Sequence, residues 1–308
     1  MTTDIKLFDL TGGAATEIPG EATAVEKSLQ SLIERNMEPM LGIRLLKTEH
    51  STGPKHRGRI DTLGIDENNT PVIVEYKRAT NENVINQGLF YMDWLLDHRA
   101  EFEMLVLRKL DRATADSIDW SAPRLLCIAG GYTRYDEHAV EQMNRNIELI
   151  RYRRFGDGLL MLEMVNAISA VGTGPDPAAV GGSDRKSSAN YKTISEVIES
   201  LDGPLLDLYQ ALRDHIRAIG DDVQEKRLKY YVAFKRIRNF ACVEVHPSKS
   251  RVTAFLKVNP ADVELVPGFT RDLSAVGHYG TGDLEVKIRT QDDLERAKPL
   301  LQKSYEAS

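Results

Sequence analysis

Only two cysteines occur in the 308 residues, Cys127 and Cys242, each set in an apolar run: Leu125-Leu126-Cys127-Ile128-Ala129 and Phe240-Ala241-Cys242-Val243-Glu244. Thiols in such runs read as small buried core residues, which argues against a disulfide framework or a cysteine metal site. Long apolar runs are missing too, since none approaches the roughly 20 residues that cross a bilayer. Met1–Leu10 lacks a basic segment followed by an apolar core, so no secretory signal is legible. The cytoplasm is the expected location, with no membrane partner. There is no internal repeat. Positive charge is in deficit, 40 Lys and Arg against 46 Asp and Glu, so attraction of nucleic acid has to rest on a local basic patch rather than on the total. Carboxylates gathered at a metal site would contribute to that balance. What is present is a globular composition, 42% hydrophobic and 28% charged, at a length that suits one large or two ordinary domains.

From Val171 to Ala189 the chain is rich in Gly, Pro, Ser and Asp and has no aromatic residue, a linker composition. The expected division is a domain over 1–170, a flexible linker over 171–190 and a second domain over 191–308. In the first, Ala22–Asn36 predicts a helix with Val25, Leu29, Leu32 and Ile33 on one face, and Gly42–Thr48 a strand. Arg59–Ile65 and Pro71–Lys77 flank the turn-prone run Asp66-Glu67-Asn68-Asn69-Thr70, a hairpin signal. Glu82–His98 predicts a second helix, Arg124–Ala129 a buried strand, Asp136–Asn146 a further helix, and Ile147–Arg153 with Leu159–Val165 a strand pair. The order α-β-β-β-α-β with additions places the domain in the α/β class, a mixed sheet flanked by helices. After the linker come a helix over Ile194–Ile219, broken near Gly203-Pro204, and strands at Tyr230–Lys235, Phe240–His246, Val252–Val258 and Leu284–Arg289. A helix over Gln291–Tyr305 closes a smaller α+β domain with a mostly antiparallel sheet.

The hairpin carries the chemistry. If it is centred on Asn68, Asp61 stands opposite Glu75, with β-carbons about 5 Å apart. Two opposed carboxylates repel, and a folded chain resolves that by exposing them, by protonating one, or by binding a cation between them. Ile60, Leu63, Val72, Ile73 and Val74 make this a substantially buried sheet, which favours the cation. Lys77, two residues beyond Glu75, shares its face of the strand. A metal that polarises a phosphoryl group and lowers the pKa of a water, beside an ammonium that orients the water or neutralises charge, is the equipment of phosphodiester hydrolysis.

The runs Gly58-Arg59-Ile60-Asp61-Thr62-Leu63-Gly64 and Val72-Ile73-Val74-Glu75-Tyr76-Lys77-Arg78 resemble the PD-(D/E)XK nuclease superfamily, above all its NucS-like and RecB-like branches. Ile60 stands where the name-giving proline would be. The resemblance covers about Ala22 to Val106 and implies a restriction-endonuclease-like αβββαβ core. It implies Mg²⁺ or Mn²⁺ held by Asp61, Glu75 and the main-chain carbonyl of Tyr76, with Lys77 beside the attacking water. Gln87 and Tyr91 match the Q-x3-Y element of the RecB-like branch, and their i, i+4 spacing sets both on one helix face, where the resemblance has them touch substrate. Glu26 corresponds to an acidic residue that assists metal binding in many relatives, with Glu21 and Glu34 competing for that role. Arg59, Arg78, Lys47 and His56 flank the motif as candidates for phosphate contact. His50, Ser51 and Thr52 precede Gly53-Pro54 in an expected loop beside the site.

The second domain resembles a domain of unknown function that accompanies such nucleases and occurs in predicted transport proteins, through stretches such as Tyr231–Arg236, Asn239–Glu244 and Gly277–Asp283. Lys229, Tyr230, Phe234, Lys235, Arg236, Arg238 and Phe240 interleave basic and aromatic residues, a composition suited to single-stranded nucleic acid. The alternative is a sheet with one core face and one charged face. His278 has no nucleophile or metal set beside it. The expected activity is metal-dependent hydrolysis of phosphodiester bonds in DNA, as an endonuclease. The alternatives are a nucleic-acid-binding or assembly module without turnover and an RNA-directed enzyme. The expected partner is nucleic acid, with a homodimer open.

Overall fold

A strand that past its first residue, Arg124, has no polar residue to turn outward has no wet face, and Arg124–Ala129 is buried at every position. The computed structural model that shows this describes residues 5–21, 26–53, 57–77, 84–168, 192–278 and 280–308, apart from the side chains of Glu26 and Ile168. The chain forms two compact units, Met1–Ala179 and Val180–Ser308. The expected linker Val171–Ala189 lies outside the described residues.

The first unit opens with a small antiparallel pair, β1 (Leu7–Asp9) and β2 (Thr16–Ile18). Then follow β3 (Gly20–Glu21), α1 (Glu26–Arg35), α2 (Met37–Leu41), β4 (Ile43–Ser51), β5 (Arg59–Asp66), β6 (Pro71–Lys77), α3 (Val84–Asp97), α4 (Arg99–Lys109), α5 (Arg112–Asp116), β7 (Arg124–Ala129), α6 (Arg134–Glu141), β8 (Asn146–Phe155) and β9 (Leu159–Ile168). One sheet runs β3-β8-β7-β6-β5-β4, with β9 on β8. It is mixed: β4, β5 and β6 are antiparallel, while β6, β7 and β8 are parallel. Leu63, Ile65, Ile73, Leu125, Cys127, Ile147 and Leu149 make one buried cluster with Ile85, Met92, Leu95, Phe102 and Val106 of α3 and α4. The expected α/β class and mixed sheet are thus present.

The turn between β5 and β6 is fixed by its own polar residues. Asp66 Oδ1 accepts from the N–H groups of Asn68 and Thr70 at 2.8 and 2.9 Å, and Asn69 takes a left-handed φ of 57°. That centres the hairpin on Asn68 and sets Thr62 opposite Val74, Leu63 opposite Ile73 and Gly64 opposite Val72. Asp66 is also ion-paired with Arg124 at 2.8 Å, and Arg124 grips Glu148 at 2.7 and 2.8 Å, all three buried. Burial works against the Arg124 charge, yet Glu148 and Asp66 outweigh it and raise its pKa above the ordinary value. The turn is thereby pinned to β7 and β8.

Two sequence expectations need correction here. The helix expected over Asp136–Asn146 ends at Glu141, because Asn146 starts β8 and its Nδ2 is tied to the Ala122 carbonyl at 2.8 Å. Residues 99–109 and 112–116, where no element was expected, are helical; α4 buries only Phe102 and Val106, too narrow a stripe to read.

The second unit contains α7 (Ile194–Glu199), α8 (Gly203–Ala218), β10 (Gln224–Arg227), β11 (Val232–Lys235), β12 (Asn239–His246), β13 (Arg251–Leu256), β14 (Thr270–Asp272), β15 (Leu284–Ile288) and α9 (Gln291–Glu306). Its sheet, β10-β11-β12-β13-β15-β14, is antiparallel throughout. The expected helix break falls at Gly203, whose φ is 54°, with proline in the first turn of α8. Leu208, Leu212, Ile216, Leu294 and Leu301 share one core with Val232, Phe234, Phe240 and Val286. Phe234 and Phe240 are fully buried there, so they offer no stacking platform to nucleic acid; the other face is not simply charged, since Ala233, Cys242 and Phe255 are buried with Leu228, Tyr231 and Leu273 in a second cluster. Among the described residues no helix is long and apolar enough to cross a membrane.

Candidate active site

One step past the Thr62–Val74 pair, the two carboxylates replace the ladder. The Asp61 N–H donates to Glu75 Oε1 at 3.2 Å, and the Tyr76 N–H donates to Asp61 Oδ2 at 3.0 Å. Each side chain thus caps the other strand's backbone, which holds the pair together at the end of the hairpin. Gln30 of α1, itself buried, reaches the Asp61 carbonyl at 2.9 Å and Glu34 Oε1 at 3.2 Å. Glu34 in turn accepts from Thr62 Oγ1 at 2.5 Å. Sequence reasoning named Glu34 only as a competitor for a metal role and missed Gln30 and Thr62. The structure uses the three to brace the strand carrying Asp61.

Glu75 is fully buried and Asp61 half-buried. Burial, then the Asp61 charge, pushes the Glu75 carboxyl up to about 9, against the opposing pull of Asp61's N–H and of Lys77. Among the described residues no donor reaches its Oε2, and the carboxyl shares a side-chain hydrogen bond with Asp61 that favours the protonated form. A buried carboxylate oxygen that no donor reaches, beside a second carboxylate, is what a cation would satisfy. No group of three or more His, Cys, Asp and Glu side chains suited to a metal occurs among the described residues, so side chains seen here supply at most two carboxylates. The Glu26 side chain lies outside the described residues, although its backbone opens α1.

Asp61 and Lys77 line an open cleft of about 450 Å³ together with Arg57, Gly58, Arg59, Gln87 and Tyr91. Gln87 and Tyr91, one turn apart on α3, meet there as their spacing predicts. The Tyr91 hydroxyl accepts from Gln87 Nε2 at 3.3 Å and from the Arg59 N–H at 3.1 Å. Gly58 lets the ring approach, because a β-carbon at that position would lie 2.5 Å from Tyr91 Cε1. The Arg59 guanidinium is exposed and paired with Glu49. Arg57 was not singled out in the sequence; only the folded loop brings it to the cleft. Arg78 and His56 lie outside the described residues, and Lys47 lines a separate hollow with Lys109. The loop expected at His50–Thr52 is instead largely strand. His50 and Ser51 belong to β4, and Thr52 clamps Gly58 through three hydrogen bonds of 2.9 to 3.0 Å.

Residues 194–308 match a domain of unknown function, DUF5655. Across most of its length the chain is similar to an uncharacterised protein of Haemophilus influenzae, 25% identical over 308 residues that cover 97% of this chain and 99% of that one. Two solved structures are similar in part. A repair endonuclease from Pyrococcus abyssi is 18% identical with a TM-score of 0.28, over 42% of this chain and 48% of that one. A chain of the EndoMS complex with double-stranded DNA is 22% identical with a TM-score of 0.29, over 42% and 47%. The chain thus spans about half the length of each, and likeness this slight carries no assignment of fold or activity.

Proposed function

We propose that this chain is a metal-dependent nuclease of the PD-(D/E)XK kind that hydrolyses phosphodiester bonds in DNA, as an endonuclease. The observation that carries the reading is the Asp61–Glu75 pair, Glu75 buried with no donor to its Oε2 and Asp61 lining a polar cleft with Lys77. Asp61, Glu75 and the Tyr76 carbonyl would hold Mg²⁺ or Mn²⁺, with Glu26 assisting. Such an ion polarises the phosphoryl group and lowers the pKa of a water. On this reading Glu75 gives up its proton when the ion binds. Lys77 holds the attacking water in line and offsets negative charge gathering on the phosphate. Tyr91 accepts two N–H groups, so its own hydroxyl proton is directed to the substrate, with Gln87 beside it. Arg59 and Arg78 meet flanking phosphates; the Arg59 guanidinium is exposed although its partner Glu49 is half-buried, and it would exchange that carboxylate for a phosphate.

The alternative is a nucleic-acid-binding module that retains the fold without turnover, and it draws on the lack of a third acidic side chain among the described residues. A melting assay with Mg²⁺ or Mn²⁺, run beside cleavage of single-stranded, duplex and branched DNA and of RNA, separates the two. Ion at a hundredfold excess over Kd stabilises by about 2.7 kcal/mol. Asp61→Asn should abolish that increment and the cleavage with it. Equal metal response of the two proteins would show that the carboxylate pair is no ion site.

A further inference from the structure

The sheet of the first unit has two long edges that meet the outside differently. Along β4 the ladder is interrupted by a bulge between Leu45 and Lys47, and Glu49 takes a left-handed φ of 51°. Bulges and charged side chains of this kind block further strand pairing. At the other end, β9 pairs with β8 along one side, and among the described residues no strand pairs with its other side. This ten-residue strand contains no Gly, Pro or Lys, and its only polar side chains are Glu163 and Asn166. Both are engaged within the unit: Glu163 accepts from Arg151 at 2.6 and 2.9 Å, and Asn166 Nδ2 donates to the Glu137 carbonyl at 3.3 Å. Leu159 is half exposed, and residues 160–167 keep partial exposure. One irregularity, opposite the Leu149–Ile150 step, leaves Leu159–Met164 as the regular run. An unprotected apolar edge of this sort is a template for another strand.

We propose that β9 pairs antiparallel with β9 of a second copy of this chain, joining the two sheets across a two-fold axis at Leu162. The other edges of the chain suit it poorly. β10 is Gln-Glu-Lys-Arg, and β14 has three residues. Addition of β9 to β4 of another copy would meet the bulge and Glu49, and being head-to-tail it would not close but propagate into an open string of copies. Pairing β9 with itself closes both edges at once. With the axis at Leu162, Leu160 faces Met164 and Leu162 faces its counterpart. Each Glu163 faces Met161 rather than the other Glu163, so no like charges are opposed. Each Glu163 also keeps Arg151.

Light scattering behind size exclusion should give the full chain twice its monomer mass at micromolar concentration. Leu162→Cys should then form a disulfide-linked dimer under mild oxidation, because opposed β-carbons about 4.5–5.5 Å apart come within disulfide reach after a small adjustment. The native thiols Cys127 and Cys242 are fully buried, so the wild type remains unlinked and serves as the control. The double variant Leu160→Lys, Met164→Lys should elute as a monomer with an unchanged far-UV circular dichroism spectrum. If that variant does not fold, the cross-link decides alone. A wild type that stays monomeric, a folded lysine variant that stays dimeric, or a dimeric Leu162→Cys variant that does not cross-link overturns the proposal. So does a monomeric Leu162→Cys variant whose introduced thiol is shielded from a thiol reagent, since the chain itself would then cover the edge.

Discussion

Glu75 carries a proton at neutral pH in the ion-free chain, because burial and Asp61 push its carboxyl from the ordinary 4.5 up to about 9. The native state therefore binds one more proton than the unfolded state between those two values. Stability attributable to Glu75 falls as pH rises through that window, and it is unaffected below about 4.5. At pH 7 the penalty reaches up to about 3 kcal/mol, at 1.36 kcal/mol per pH unit. Glu75→Gln, which cannot ionise, should match the wild type at pH 4 in urea melts without metal, then exceed it by a margin that grows to pH 8.5. A margin that does not change with pH would mean that Glu75 is already ionised in the fold. The opposition of Asp61 and Glu75 was legible because Asp66, Asn68 and Asn69 fix the centre of the turn, and a period of two does the rest. The braces Gln30, Glu34 and Thr62 were not legible. Polar residues on a helix read as solvent-facing until the helix is seen lying against the strand.

Between residues and whole units, the elements that set up the cleft depend on two contacts that can be broken singly. Arg124 joins the β5–β6 turn to β8 through Asp66 and Glu148. Removing one member of a buried ionic network leaves uncompensated charge, so Arg124→Ala should cost about 3–5 kcal/mol in denaturant melts. Arg124→Met should cost a comparable amount, since it too removes the guanidinium that faces both acids; a loss under about 1 kcal/mol for either would mean that the carboxylates find water instead. The second contact is Gly58 under Tyr91. Gly58→Ala puts a β-carbon 2.5 Å from the ring, and the buried Tyr91 has to shift. A misplacement near 1 Å costs on the order of 10²-fold in rate, so cleavage should fall by about that factor while metal-induced stabilisation is kept. Loss of the metal response in Gly58→Ala would place Tyr91 in support of the ion rather than of the substrate. At this scale the sequence was most readable where an unbroken apolar run or a helical period marks the element, as in β7 and α3. It was least readable where an element buries two side chains or fewer, or lies charged at an edge, as α4 and β10 do.

At the scale of the molecule, charge and chemistry are unevenly divided. Residues 1–170 hold 20 Lys and Arg against 26 Asp and Glu, whereas the rest of the chain is balanced at 20 of each. Every residue assigned to the proposed chemistry lies in the acidic part. Each unit has its own apolar core, so the two should fold separately when the chain is cut within 171–190. Residues 1–170 are expected to keep metal-dependent cleavage but to bind substrate more weakly than the full chain, because the less acidic part is gone. Residues 191–308 should show no hydrolysis. Lys77→Ala should lose turnover in the full chain and in 1–170 alike while keeping the metal-induced rise in melting temperature, since the ammonium acts on water and phosphate and not on the ion. Rates and affinities have to be compared at one fixed salt concentration, as phosphate binding depends steeply on salt. Cleavage by residues 191–308, or undiminished cleavage by Lys77→Ala, would move the active site elsewhere. Equal affinity of 1–170 and the full chain would leave the site in place and take from the DUF5655 domain any part in holding the substrate.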